Sequence, residues 1–103
     1  MYNIICTTPI MHLPGIYDEL KKNGKVAYFP SITKKELTSK LKKYPFDVLF
    51  VNPNKQGYIL NSEILGNSNI KIINTCSTGT NHIDLNYCKK KGIKIYTLAD
   101  NKS

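Results

Sequence analysis

Along the chain, short runs of apolar and β-branched residues alternate with segments whose apolar residues recur every three or four positions, a switch between strand and helix periods. Tyr2, Ile4 and Ile5 mark a first strand over Met1–Cys6, which must end before Pro9 because proline gives a ladder no N–H. His12-Leu13-Pro14-Gly15 opens a helix that runs to Asn23. Pro14 suits its first position, Ile16 and Leu20 share a face, and Asn23-Gly24 supplies a left-handed stop. Lys25–Phe29 reads as a second strand closed by Pro30. Thr33 with Glu36 makes a capping box and Ile32 can staple onto Leu37; Leu37, Leu41 and Tyr44 then form the inward stripe of a helix that stops before Pro45. Asp47–Val51 is almost continuously apolar, as in a parallel strand covered on both faces. Past the turn formers of Asn52–Gly57, Asn61 or Ser62 caps a short helix with Ile64 and Leu65 inward and Gly66 as its stop. Ile70–Thr75 is the fourth strand, ending in a turn at Gly79. A helical pattern over Ile83–Lys91 follows, with Asn81 as its cap and Asp84 in its first turn, and Gly92 closes it before the fifth strand, Ile93–Thr97.

Five strands alternating with four helices through short loops predict an α/β fold. The expected form is a flavodoxin-like open parallel five-stranded sheet, order 2-1-3-4-5, with right-handed crossovers and helices on both faces. At 103 residues, the chain is expected to be one domain spanning 1–103.

Charge changes this picture little. The net charge is +8, but all 15 basic residues are lysine, scattered over helix faces and last turns, and arginine, which forks onto phosphates and guanine edges, is absent. A nucleic-acid role is therefore disfavoured. Three cysteines, Cys6, Cys76 and Cys88, have no metal-ligand spacing and read as small buried hydrophobes of a reduced, cytoplasmic protein. Neither a signal peptide nor an apolar stretch long enough for a membrane span is visible, so no membrane partner is expected.

In an open parallel sheet, ligands sit at the carboxyl ends of the strands. Strands 1, 3 and 4 would present Cys6-Thr7-Thr8, Asn52-Pro53-Asn54-Lys55 and Cys76-Ser77-Thr78-Gly79, a rim of hydroxyls and amides with one cation and no carboxylate. Such a rim suits a small anion held by backbone N–H groups near Gly79, by Ser77 and Thr78, and by Lys55. The same residues are those that turn geometry selects, and both readings stand at this point. His82 lacks an orienting carboxylate other than the sequence-local Asp84, so a helix-entry histidine with local hydrogen bonds is expected rather than a general base. Cys76 has no identifiable base for a thiol nucleophile, and Gly57, Gly66 and Gly79 build neither a G-x-G-x-x-G nor a Walker loop.

The stretch Lys71–Thr97, KIINTCSTGTNHIDLNYCKKKGIKIYT, resembles the N-terminal substrate-binding (catalytic) domain of the D-isomer-specific 2-hydroxyacid dehydrogenases. Gly79, Ile83 and Asp84 match its G-x-x-x-I-D, Cys88 takes its alanine-like position, and Lys90 or Lys91, Gly92, Ile93 and Ile95 match its K-x-x-G-I-x-V strand. By motif, the match covers only about a quarter of the chain. The resemblance implies a discontinuous domain into which an NAD-binding Rossmann domain is inserted. Within it, Asn52, Asn54, Lys55, Ser77, Thr78 and Gly79 would line the site for the carboxylate of a small 2-hydroxy or 2-keto acid. It also places the family's catalytic arginine, glutamate and histidine, and its glycine-rich cofactor loop, beyond Ser103, and its usual N-T-P is here Thr97-Leu98-Ala99-Asp100. The resulting expectation is the substrate-binding part of an NAD-dependent oxidoreductase acting on CH–OH groups, with no catalytic residue or metal of its own. NAD would belong to the intact parent enzyme, and this chain alone would bind none and be inactive. An exposed apolar patch is expected where a returning segment packs in the family, giving self-association. The alternative is a stand-alone flavodoxin-like small-anion-binding or regulatory module.

Overall fold

A computed structural model describes residues 2–11, 14–52, 57–75 and 79–97. In order, the elements are β1 (Tyr2–Cys6), α1 (Ile16–Asn23), β2 (Gly24–Tyr28), α2 (Lys34–Lys43), β3 (Val48–Val51), α3 (Ser62–Leu65), β4 (Ile72–Thr75), α4 (Leu85–Lys91) and β5 (Lys94–Tyr96). The five strands form one parallel sheet in the order β2-β1-β3-β4-β5, the arrangement expected from the sequence. Every residue of β3 is buried, as its unbroken apolar run requires.

Alternation along the strands divides the interior in two. Ile5, Leu49, Val51 and Ile73 face the larger cluster, which Leu37 and Leu41 of α2, Ile64 and Leu65 of α3 and Cys88 of α4 complete. On the opposite face Cys6 and Phe50 meet Ile16, Tyr17 and Leu20 of α1. Helices thus lie on both faces, three against one among the described residues. Beyond α1 that second face continues across Ile72 and Asn74, paired with Lys94 and Tyr96. Ile72 and Asn74 are half-buried and Lys94 and Tyr96 exposed, so among the described residues this part of the face mixes polar and apolar side chains.

Several local expectations hold at the level of atoms. The Thr33 hydroxyl accepts from the Glu36 N–H, and the Glu36 carboxylate accepts from the Thr33 N–H in return. The Thr33 N–H first, and then the Thr33 hydroxyl, which donates to the same carboxylate at 2.9 Å, hold the Glu36 carboxyl below its ordinary range. Gly92 takes the left-handed conformation that ends α4, with φ +79°.

Others are corrected. Gly15, not a residue inside the helix, caps α1, because its φ of +79° departs from the right-handed helix and the helix begins at Ile16. Gly24 is not a left-handed stop: its backbone is extended, φ 168°. Glycine is required there because a Cβ would stand 1.9 Å from the carbonyl oxygen of Tyr2. Tyr44 leaves the buried stripe, 53% exposed, and meets Phe46 edge-on at 6.1 Å. The cap of α4 is Asp84 rather than Asn81, its carboxylate accepting from the Tyr87 N–H at 3.1 Å. Ile83 pairs with Leu60 in an isolated parallel bridge, so the backbone is still extended where the pattern placed the start of the helix. The expected helix opening at His12-Leu13 lies outside the described residues.

One long-range tie was not anticipated. The Lys91 ammonium, at the end of α4, donates to the carbonyls of Leu65, Gly66 and Ser68. It neutralises the acceptors left open where α3 ends.

Substituting Gly24→Ala should lower stability by about 2–3 kcal/mol, since the new methyl group can only be housed by parting β2 from β1. Urea unfolding of the variant beside the wild type checks this; an unchanged midpoint would mean that the strands separate at no cost.

Candidate functional site

The carboxyl ends of β3 and β4 lie side by side, because Val51 and Thr75 are register partners. Whatever follows these two residues therefore leaves the sheet at neighbouring points, as the sequence reading of a shared rim requires. Of the six candidate residues, Asn52 and Gly79 belong to the described part. Asn52 is half-buried directly after β3, and Gly79 is exposed, with nothing within 4 Å of where a side chain would begin. Asn54, Lys55, Ser77 and Thr78 lie outside the described residues, as do Pro53 and Cys76.

The contribution expected from β1 is different in kind. Thr7 and Thr8 are buried, not displayed on the rim. The Thr7 hydroxyl donates to the Phe50 carbonyl at 3.4 Å and the Cys6 thiol to the Thr8 carbonyl at 3.3 Å. These groups pin the end of β1 to β3 and themselves. The Thr8 hydroxyl is buried with no hydrogen-bond partner among the described residues. Near this edge a cleft of about 530 Å³ opens between the segments that follow β1 and β2, lined by Thr7, Pro30, Ser31, Thr33, Lys34 and Tyr58, among others. Tyr58 stands over it with its hydroxyl donating to the Ile32 carbonyl at 3.4 Å, and burial pushes its phenol upward. Lys34 is engaged there by Glu63 at 2.8 Å, so its charge is already matched.

His82 departs most from expectation. Instead of bonding locally at a helix entry, its ring is turned into the molecule, 7% exposed, with Nε2 3.2 Å from the Thr75 hydroxyl. Nδ1 is buried without a hydrogen-bond partner among the described residues. A bare lone pair costs less than a bare N–H, so we assign the proton to Nε2, which donates to Thr75 Oγ1. Protonating Nδ1 would bury an N–H with no acceptor, and burial accordingly lowers the imidazole pKa from 6.5. The backbone around His82 is held as well: Leu60 N–H donates to the His82 carbonyl, Asp84 N–H to the Leu60 carbonyl and Ile83 N–H to the Thr80 carbonyl. A sequence signal for the Thr75 contact existed, since Thr75 shares the inward face of Ile73 and an inward hydroxyl needs a partner.

The two described cysteines are buried thiols. Burial raises both, and the Asp84 charge adds to the effect at Cys88, so neither is poised as a nucleophile. Among the described residues, no group of three or more His, Cys, Asp or Glu could hold a metal ion, and no helix is long and apolar enough to cross a membrane.

Residues 5–101 match the family model described as D-isomer specific 2-hydroxyacid dehydrogenase, catalytic domain. Over 54 residues the chain is 39% identical to an erythronate-4-phosphate dehydrogenase from Pseudoalteromonas atlantica, a stretch covering 52% of this chain and 14% of that one. Among solved structures it is similar to a D-lactate dehydrogenase of Aquifex aeolicus complexed with NAD and lactic acid. There the TM-score is 0.74 and the identity 30%, over 93% of this chain and 28% of the other. A Pyrococcus horikoshii protein shares the fold with a TM-score of 0.82 and 24% identity, over 95% of this chain and 28% of its own. The chain thus spans less than a third of the length of these relatives.

A pH dependence follows from His82. With its folded pKa below the unfolded 6.5, the unfolded chain takes up a proton that the folded one refuses. The stability contribution of the neutral ring is complete above pH 6.5 and is lost as pH falls from there through the folded pKa. Thermal melts across this range should show the loss in the wild type and not in His82→Gln; parallel profiles would refute it.

Proposed function

Because the chain belongs to the D-isomer-specific 2-hydroxyacid dehydrogenase family, through its catalytic domain, we propose that it is the substrate-binding part of an NAD-dependent oxidoreductase acting on the CH–OH group of 2-hydroxy acids. The observation that carries the proposal is the register of Val51 with Thr75, which brings the segments after β3 and β4 to one point on the carboxyl edge. Asn52, Asn54 and Lys55 from one segment and Ser77, Thr78 and Gly79 from the other make the wall that receives the substrate carboxylate. Amide and hydroxyl donors would orient the carboxylate, and Lys55, the cation among the six, would offset its charge.

The cofactor in the parent enzyme would be NAD, which takes up the hydride from the substrate carbon. This chain's own residues do not fit it: its glycines build no G-x-G-x-x-G loop to receive a pyrophosphate, so no step is assigned to NAD here. Nor does the chain contain an arginine to clamp carboxylate and carbonyl together. In this reading residues 1–103 form one domain, the N-terminal part of a catalytic domain that a Rossmann domain partners in the parent protein, working in the cytoplasm. The chain by itself binds a 2-keto acid weakly and transfers no hydride.

Titrating the isotope-labelled chain with pyruvate, glyoxylate and phosphate should shift the Asn52 and Gly79 amides, more for the 2-keto acids than for phosphate. Lys55→Ala should weaken that binding by about tenfold, the worth of one charge-assisted bond. Equal response to phosphate would favour the small-anion module instead, and NADH oxidation by the purified chain with any 2-keto acid would end the claim of inactivity. The open β4–β5 half of the α1 face should also make the chain self-associate weakly, read as concentration-dependent sedimentation; a strict monomer at high concentration would count against this.

A further inference from the structure

We infer that His82 is a positioning residue for the substrate site: its ring bonds Thr75 from inside the molecule and thereby ties the segment from Gly79 to His82 to the end of β4. This inference rests on the reading above in placing Gly79 at the substrate wall, but the mechanical claim stands on the geometry alone.

The segment that enters α4 is held in two directions. Sideways, the backbone of His82 and Asp84 is bonded to Leu60 on both of its polar groups, and Ile83 pairs with Leu60 as a short bridge. Backwards, toward the sheet, the His82 ring reaches Thr75, the last residue of β4 and register partner of Val51. The point where β4 ends and the point where the chain enters α4 are thus joined by a side-chain bond across seven positions of sequence. Gly79 lies between them with open space beside its Cα, room in which a ligand can approach the backbone.

Stability does not explain this pair. Two apolar side chains of similar shape would fill the same volume without desolvating a hydroxyl and an imidazole, and without leaving Nδ1 bare. A hydrogen bond between the two offers direction instead: it sets the separation and orientation of the strand end and the turn, which apolar packing specifies loosely. A group that must meet a carboxylate at hydrogen-bond distance needs such fixing, because small displacements remove most of the interaction.

The test uses the Thr75→Val/His82→Leu double variant beside His82→Gln. The double variant should fold with nearly wild-type stability, yet exchange its Gly79 and Thr80 amides faster relative to Ile73 and bind pyruvate about fivefold more weakly, the worth of one neutral hydrogen bond. His82→Gln should restore both readouts, since a glutamine amide nitrogen can take the place of Nε2. His82→Asn, whose amide corresponds to Nδ1, should not. Unchanged Gly79 and Thr80 exchange in the double variant would overturn the inference, as would identical behaviour of the Gln and Asn variants if the double variant does not fold. Should the wild type bind no pyruvate, the substrate reading fails, and the exchange data still decide whether His82 positions the turn.

Discussion

Four consecutive residues, Val48 to Val51, have no side to show to water. A strand buried on both faces needs a hydrogen-bonded neighbour at each edge and helices above and below, since an unpaired backbone amide in the interior costs roughly as much as a lost hydrogen bond. β1 and β4 supply the edges, α1 the cover on one face, and α2, α3 and α4 the cover on the other. The position of the candidate site follows from the same constraint. With β3 central, its exit toward Asn52 lies between the exits of β1 and β4, where the chain must leave the sheet and side chains can no longer be matched by strand pairing.

The two flanks of that exit are used differently. On the β1 side, polar groups are spent inwardly: Thr7 bonds Phe50 and the Cys6 thiol bonds Thr8. On the β4 side, the buried Thr75 hydroxyl bonds the ring of His82, which lies past the strand end.

What could be read from the residues alone was what is decided locally. The capping box of α2, the Gly92 stop and the sheet order rest on a few neighbouring residues or on the count and kind of elements, and these were legible. The corrections share a different cause. The cap of α4 shifts from Asn81 to Asp84 because Leu60, distant in sequence, keeps Ile83 extended. Gly24 is a glycine on account of Tyr2 on another strand, not its own dihedral angles. The inward turn of His82 depends on a hydroxyl beyond the intervening turn. At the candidate site, Asn52 directly follows β3, while the rim residues of β1 were misjudged because burial of a threonine is decided by what packs over it.

The brace between Thr75 and His82 also separates two kinds of inheritance in this chain. A change of side chain at the exposed Asn81 leaves both fixed points where they are, whereas a change in the length of chain between Thr75 and His82 would have to move one of them.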